Sequence, residues 1–323
     1  MRNGRRVAWL PGVFLCGPEL GPNEVLFVIN PLIFGVNSLS SNAAKRKATV
    51  LRHVLAGIGL GLGLLISVPS MAVAAPETVC TLVLTADAGV VLHEAGACET
   101  RVTPASTFKI ALAVMGYDAG FLLDGTQPLL AYQQDDPKWG GANWTRDTNP
   151  TDWMRYSVVW YSQRITRTLG AEALARYAQA FGYGNADFSG DAGEDNGLER
   201  AWIASSLLIS PQEQAAFLRA LVTNDLPASS AAIAQARGIV ECAPVESWTV
   251  CGKTGTAYPR HADRSFDYAR GWCWFVGWAE RRGEWLVFVR LTQARERREG
   301  SPGNLTRAAL LTDWLGLMAE VGR

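Results

Sequence analysis

Residues 271–291 read GWCWFVGWAERRGEWLVFVRL, two apolar runs, Gly271–Trp278 and Glu284–Leu291, joined by a polar Arg281-Arg282-Gly283 turn. Short runs rich in aromatic and β-branched residues, broken by a glycine turn, predict two adjacent strands. Near the other end, Val79–His93 carries a similar pattern, with a turn around Asp87, Ala88 and Gly89. After the C-terminal strands, Asn304–Val321 shows helical periodicity. The middle reads as helices over Pro104–Gly116, Asp152–Leu169, Ala171–Phe181, Pro211–Thr223 and Ala228–Ile239, with Ser210-Pro211 supplying an N-cap and a proline at the first helical position. Gln127–Pro150 is polar, punctuated by proline and expected to be a surface loop. The fold expected is α/β in its α+β form: one antiparallel sheet built from both termini, flanked by helices, with an inserted helical subdomain and a cleft between them.

The first 74 residues are set apart. Lys45, Arg46, Lys47 and Arg52 precede an uncharged stretch, Val54–Val68, followed by Ala72-Val73-Ala74-Ala75. That order is the pattern of a secretory signal peptide, residues 45–74, cleaved near Ala74. Its apolar run is shorter than the roughly 18 to 20 residues that cross a bilayer, so no stable membrane anchor is expected. Residues 1–44 precede a normal signal and show no motif, which suggests a start assigned too far upstream. The remaining chain, 75–323, is expected to be exported as a single domain.

Removing residues 1–74 takes seven basic and two acidic residues from totals of 30 and 30, leaving 23 against 28, a net charge of −5. Such a balance does not favour nucleic acid as a partner. Metal chemistry is disfavoured as well, because only His93 and His261 remain and neither has ligand spacing. Both sit where solvated surface is the simpler reading, so a Ser-His-Asp triad is not expected. Five cysteines remain, and in an exported protein they suggest disulfides. Two local bridges fit, Cys80 with Cys98 and Cys242 with Cys251, with Cys273 left in an apolar strand; distance in space decides.

Chemistry concentrates in two places. In VTPASTFKIALAVMGYD, Val102–Asp118, Thr103 can cap a helix beginning at Pro104, which puts Ser106 in its first turn, where free N–H groups favour an anion. Lys109, at i+3, lies on the same face, and the apolar run Ile110–Met115 disfavours its charged form. A neutral lysine is a base that could activate the serine. Only three lysines follow residue 74, namely Lys109, Lys138 and Lys253. Lys253 opens the second place, VCGKTGT, Val250–Thr256, at the end of a strand. There Lys253 offers a positive charge, Thr254 a hydroxyl, and Thr256 a backbone N–H that could complete an oxyanion hole with that of Ser106.

Ser-x-x-Lys followed by Lys-Thr-Gly resembles the signature of penicillin-recognising serine enzymes. Ser157-Val158-Val159, Tyr183-Gly184-Asn185, and Trp202 before a Ser-Pro helix start make the chain similar to the class D β-lactamases, the oxacillinases. The resemblance implies that the partners are small β-lactam substrates and that no metal or organic cofactor is needed, CO2 or bicarbonate supplying an N-carboxyl group on Lys109. It implies Ser106 as the acylated nucleophile, carboxylated Lys109 as the base and Ser157 as the proton relay to the leaving nitrogen. Val159 would then pack beside the modified lysine and Trp202 would hydrogen-bond to it. Lys253, Thr254, Gly255 and Thr256 would bind the substrate carboxylate and acylamide with help from Arg307, whose assignment rests on helix position alone. Tyr183 is read as shaping a turn. The loop Ala257–Gly271 is expected to border the pocket. Competing readings are a non-hydrolytic penicillin-binding sensor domain and a peptidoglycan transpeptidase; turnover beyond one equivalent separates them.

Overall fold

The computed structural model describes residues 76–297 and 300–323. The expected signal peptide, its cleavage near Ala74 and the extension before it lie outside the described residues. The described chain begins with β1 (Glu77–Thr85) and β2 (Val91–Gly96), passes through α1 (Phe108–Asp118), α2 (Pro150–Tyr156), α3 (Val159–Ala180), α4 (Gly197–Arg200), α5 (Pro211–Thr223) and α6 (Ser230–Gly238), and returns through β3 (Cys242–Val245), β4 (Trp248–Ala257), β5 (Trp272–Arg281), β6 (Glu284–Gln293) and α7 (Pro302–Glu320). The six strands form one sheet in the order β2-β1-β6-β5-β4-β3, and every neighbouring pair is antiparallel. Cys80 lies opposite Leu291 and Val83 opposite Phe288, so the two ends of the described chain meet in the middle of the sheet.

The continuous apolar runs of β5 and β6 have a physical cause: both faces of the sheet are covered, so strict alternation with polar residues is not required. Trp274, Val276, Trp278, Val287 and Val289 point into the larger core with the helices of the middle region. Phe275, Leu286 and Phe288 point the other way, into a second core with Leu310, Trp314, Leu317 and Met318 of α7. Those four residues follow the i, i+4, i+7, i+8 spacing of one helical face.

Most helices match the sequence pattern. Ser210 caps α5 through a capping box, its Oγ accepting from Glu213 N at 3.2 Å while Glu213 Oε2 accepts from Ser210 N at 2.9 Å. The expected break between Leu169 and Ala171 lies at Gly170, whose φ of 79° is not helical. The helix expected over Asp152–Leu169 is interrupted, however: α2 ends at Tyr156, Ser157 takes a left-handed φ of 59°, and α3 starts at Val159. The disulfides join Cys80 to Cys98 and Cys242 to Cys251, with Cα separations of 5.0 and 3.9 Å. The second pins β3, a strand not anticipated from sequence, beside β4. Cys273 is buried in β5, outside both disulfides. Among the described residues no helix is long and apolar enough to cross a membrane, and no group of three or more His, Cys, Asp or Glu is placed to hold a metal ion.

Candidate active site

Ser106 sits in a 3-10 turn, Ala105–Thr107, that leads into α1. The turn is fixed from within: Thr107 Oγ1 donates to the Pro104 carbonyl at 2.7 Å and accepts from Gln214 Nε2 of α5 at 2.7 Å. Thr103 is not the cap expected from sequence. Pro104 occupies the N-cap of the 3-10 turn, and the Thr103 hydroxyl instead bonds across to the segment carrying Trp202, donating to the Trp202 carbonyl at 2.9 Å and accepting from Ala204 N at 3.0 Å.

Lys109 lies one turn after Ser106 and is completely buried. Its Nζ is 3.5 Å from Ser106 Oγ. Burial, and next the charge of Lys253, push the Lys109 amine well below the ordinary lysine value. Trp202, 1% exposed, packs against Phe108 in a tilted ring pair with centroids 5.5 Å apart, and its indole Nε1 is buried without a hydrogen-bond partner. A buried donor left unpaired costs about 1–3 kcal/mol. Val159 is buried as the first residue of α3.

The left-handed conformation of Ser157 is strained for a residue with a side chain, a strain that proteins concentrate at functional sites. It re-aims the chain so that Ser157 Oγ accepts from Lys253 Nζ at 2.5 Å. Lys253 also donates to the Thr254 carbonyl at 3.2 Å. Burial pulls the Lys253 ammonium down to about 8; the carboxylate of Glu241 opposes that shift and the guanidinium of Arg307 adds to it.

Strand β4 lies against the serine turn because Gly255 has no side chain: a Cβ there would stand 2.9 Å from the Pro104 carbonyl oxygen and 3.2 Å from Thr107 N. On its other side Gly303, at the start of α7, donates its N–H to Thr256 Oγ1 at 2.9 Å. Ser106, Ser157, Thr254 and Thr256 thus share one cleft of about 550 Å³, walled by Trp139, Trp144, Tyr156 and Tyr258. That volume suits a small organic ligand. Arg307 does not line this cleft; with Lys253, Thr254, Arg155 and Glu241 it borders an adjoining pocket of about 50 Å³. Tyr183 packs in the core between Phe108 and Phe217, at centroid distances of 5.7 and 5.1 Å.

Trp139, Trp144 and Tyr156 were not legible in the sequence as cleft walls. Trp139 and Trp144 belong to the polar stretch read as a surface loop, and Trp139 is 69% exposed, its ring 4.3 Å from that of Trp144. A loop has no period that would announce which residue turns toward a cleft. Of the long β4–β5 connection, Tyr258 does border the cleft, as expected.

Comparison with known proteins bears on the family and the fold. Residues 87–311 match the penicillin binding protein transpeptidase domain family. The chain is 36% identical over 276 residues to beta-lactamase OXA-9 of Klebsiella pneumoniae, covering 85% of this chain and 99% of that protein. It is 38% identical over 194 residues to beta-lactamase OXA-1 of Escherichia coli, covering 59% of this chain and 67% of that protein. The crystal structure of OXA-427 class D beta-lactamase superposes with a TM-score of 0.70 at 40% identity, covering 75% of this chain and 99% of that one. With this fold and these relatives, the chain belongs to the class D β-lactamases, serine hydrolases of the penicillin-binding transpeptidase fold.

Proposed function

We propose that this β-lactamase works in the periplasm, opens the lactam amide through an acyl-enzyme on Ser106, and uses Lys109 in N-carboxylated form as its general base. What supports this reading is a fully buried Lys109, 3.5 Å from Ser106 Oγ, together with a buried Trp202 that packs on the preceding residue, Phe108, and whose Nε1 lacks an acceptor. Only an unprotonated amine adds CO2, and burial favours that form. The product is an anion that needs a donor in an apolar pocket, and an indole N–H is a donor only. A carboxyl group on Lys109 supplies a basic oxygen near the serine.

From there the residues divide the work. Ser106 Oγ gives its proton to the base and bonds to the lactam carbonyl carbon. The backbone N–H groups of Ser106 and Thr256 hold the oxyanion; losing one such donor typically costs 10²–10³ in rate. As the C–N bond breaks, Ser157, its hydroxyl polarised by the Lys253 ammonium 2.5 Å away, passes a proton to the lactam nitrogen and is refilled by the proton that the base took from Ser106. The base at Lys109, free again, then takes a proton from water as the water oxygen bonds to the acyl carbon, and returns that proton to Ser106 Oγ as the ester C–O bond breaks. Val159 helps to close the pocket around Lys109.

Lys253, Thr254 and Gly255 bind the substrate carboxylate and acylamide, and Arg307 adds positive charge at the pocket that shares Thr254 with the cleft. An exported location is supported by the two disulfides, which persist in oxidising compartments.

The test is turnover of excess penicillin in buffer stripped of CO2 below neutral pH, before and after adding bicarbonate. Activity is expected to be low, then restored. Full activity without bicarbonate would mean that Lys109 serves as a plain amine.

A further inference from the structure

Trp202 owes its place to a turn that is fastened on two sides. Two residues beyond it, Ala204 takes a φ of 53°, an unfavourable conformation for a residue with a Cβ that persists only where its surroundings impose it. Those surroundings are specific. On the inner side, the Thr103 hydroxyl accepts from Ala204 N at 3.0 Å and donates to the Trp202 carbonyl at 2.9 Å, while the Thr103 carbonyl accepts from Trp274 Nε1 of β5 at 2.9 Å. On the outer side, the Ala204 carbonyl accepts from Arg260 Nε at 3.2 Å.

Arg260 belongs to the loop between β4 and β5, where it pairs with Phe266 in an isolated antiparallel bridge. Its other donors reach the Arg264 carbonyl at 2.8 Å and both oxygens of Asp191 at 3.2 and 3.1 Å, and its guanidinium lies 4.5 Å from the centre of the Phe266 ring. Asp191 stands on the segment leading to Trp202. The Arg260 and Asp191 side chains are only 25% and 13% exposed, so their pair is shielded in a way that a surface ion pair is not. One planar guanidinium thereby serves a carboxylate, two carbonyls and an aromatic face, a set that a lysine ammonium cannot reproduce.

We infer that Arg260 and Asp191 are positioning residues for Trp202: by clamping the Ala204 turn from the loop side they fix the indole N–H as the donor that retains an anionic Lys109. The inference rests on the carboxylated-lysine reading. It also gives the β4–β5 loop a second task beside bordering the cleft, since changes in that loop reach the base through Arg260.

The test is a ¹³C-bicarbonate titration, following the carbamate carbon signal by NMR in the parent protein and in Arg260→Gln, Arg260→Lys, Asp191→Asn and His261→Ala. His261 is an exposed neighbour in the same loop and serves as the control. Arg260→Gln and Asp191→Asn should raise the half-saturating bicarbonate concentration on the order of 10-fold, with full signal recovered at saturation, as is typical when an outer partner of a bound group is removed. Arg260→Lys should fall between, and His261→Ala should match the parent. A loop that is merely loosened would lower the melting temperature or the rate without moving this midpoint. Parental midpoints in Arg260→Gln and Asp191→Asn would overturn the clamp, and if either fails to fold, Arg260→Lys decides by the same criterion. Absence of a signal from the parent would instead overturn the Lys109 reading beneath it.

Discussion

Replacing Ser157 with alanine removes the hydroxyl that accepts from Lys253 Nζ at 2.5 Å and leaves only the Thr254 carbonyl, at 3.2 Å, to hold the ammonium. Lys253 is 5% exposed, so water does not make up the loss. A hydrogen bond to a charged group contributes about 1.5–3 kcal/mol, and about 1.36 kcal/mol corresponds to one pKa unit. The Lys253 ammonium, already pulled down to about 8 by burial, should therefore drop by a further ~1–2 units. On the proposal that substrate binding needs the charged lysine, the alkaline limb of kcat/KM, which reports the free enzyme, should move down by the same amount. Stability carries the matching sign. The value near 8 means that the folded chain releases this proton before the unfolded chain does. Lys253 therefore makes stability rise between about pH 8 and the ordinary lysine value of 10.5, and the cost of burying the charge is full below that window. In Ser157→Ala the window should open at lower pH. The assay is a pH profile of kcat/KM on a chromogenic cephalosporin, beside an NMR titration of Lys253. A slower enzyme whose alkaline limb stays within ~0.3 unit of the parent would refute the reasoning, because one pair of atoms is asked to account for both effects.

Ser106→Ala should leave the fold intact and abolish covalent labelling by penicillin; surviving label would place the nucleophile elsewhere. Arg307→Ala should raise KM more than it lowers kcat, as expected for a group that binds the substrate carboxylate without taking part in bond making. An unchanged KM would confine Arg307 to the small pocket behind Lys253. Trp202→Phe keeps an aromatic ring beside Phe108 but deletes the orphan donor, so the bicarbonate needed for half-maximal rate should rise by ~10- to 150-fold, the equivalent of a charge-assisted hydrogen bond. A shift of less than about threefold would show that the indole N–H does not hold the base.

What the sequence made legible follows from how locally each feature is determined. Ser106 and Lys109 are three residues apart, and helical geometry alone predicts that they meet. The strands of both termini are visible because their apolar runs are long and bounded by turns. Ser157 is different: SVVWYS reads as one apolar helix, and nothing in the string shows that the chain must leave the helix for a left-handed residue. Its cause lies 96 positions away, in the Lys253 ammonium that the hydroxyl meets. Thr103 was misread for a similar reason. As a threonine before a proline it fits a cap, yet its hydroxyl serves Trp202 and Ala204, about a hundred residues on. The strand Cys242–Val245 is only four residues long and partly exposed, too short for its pattern to stand out. Tertiary partners, rather than propensity, decided all three.

The central claim is that the buried Lys109 amine carries the base as a carboxyl adduct, and a ¹³C carbamate signal measures that directly. Enzyme equilibrated with ¹³C-bicarbonate at neutral pH should give one such signal, which fades on acidification in step with the loss of turnover and is missing from Lys109→Ala. A protein that turns over penicillin at full rate while showing no carbamate carbon would contradict the account and leave Lys109 as a free amine.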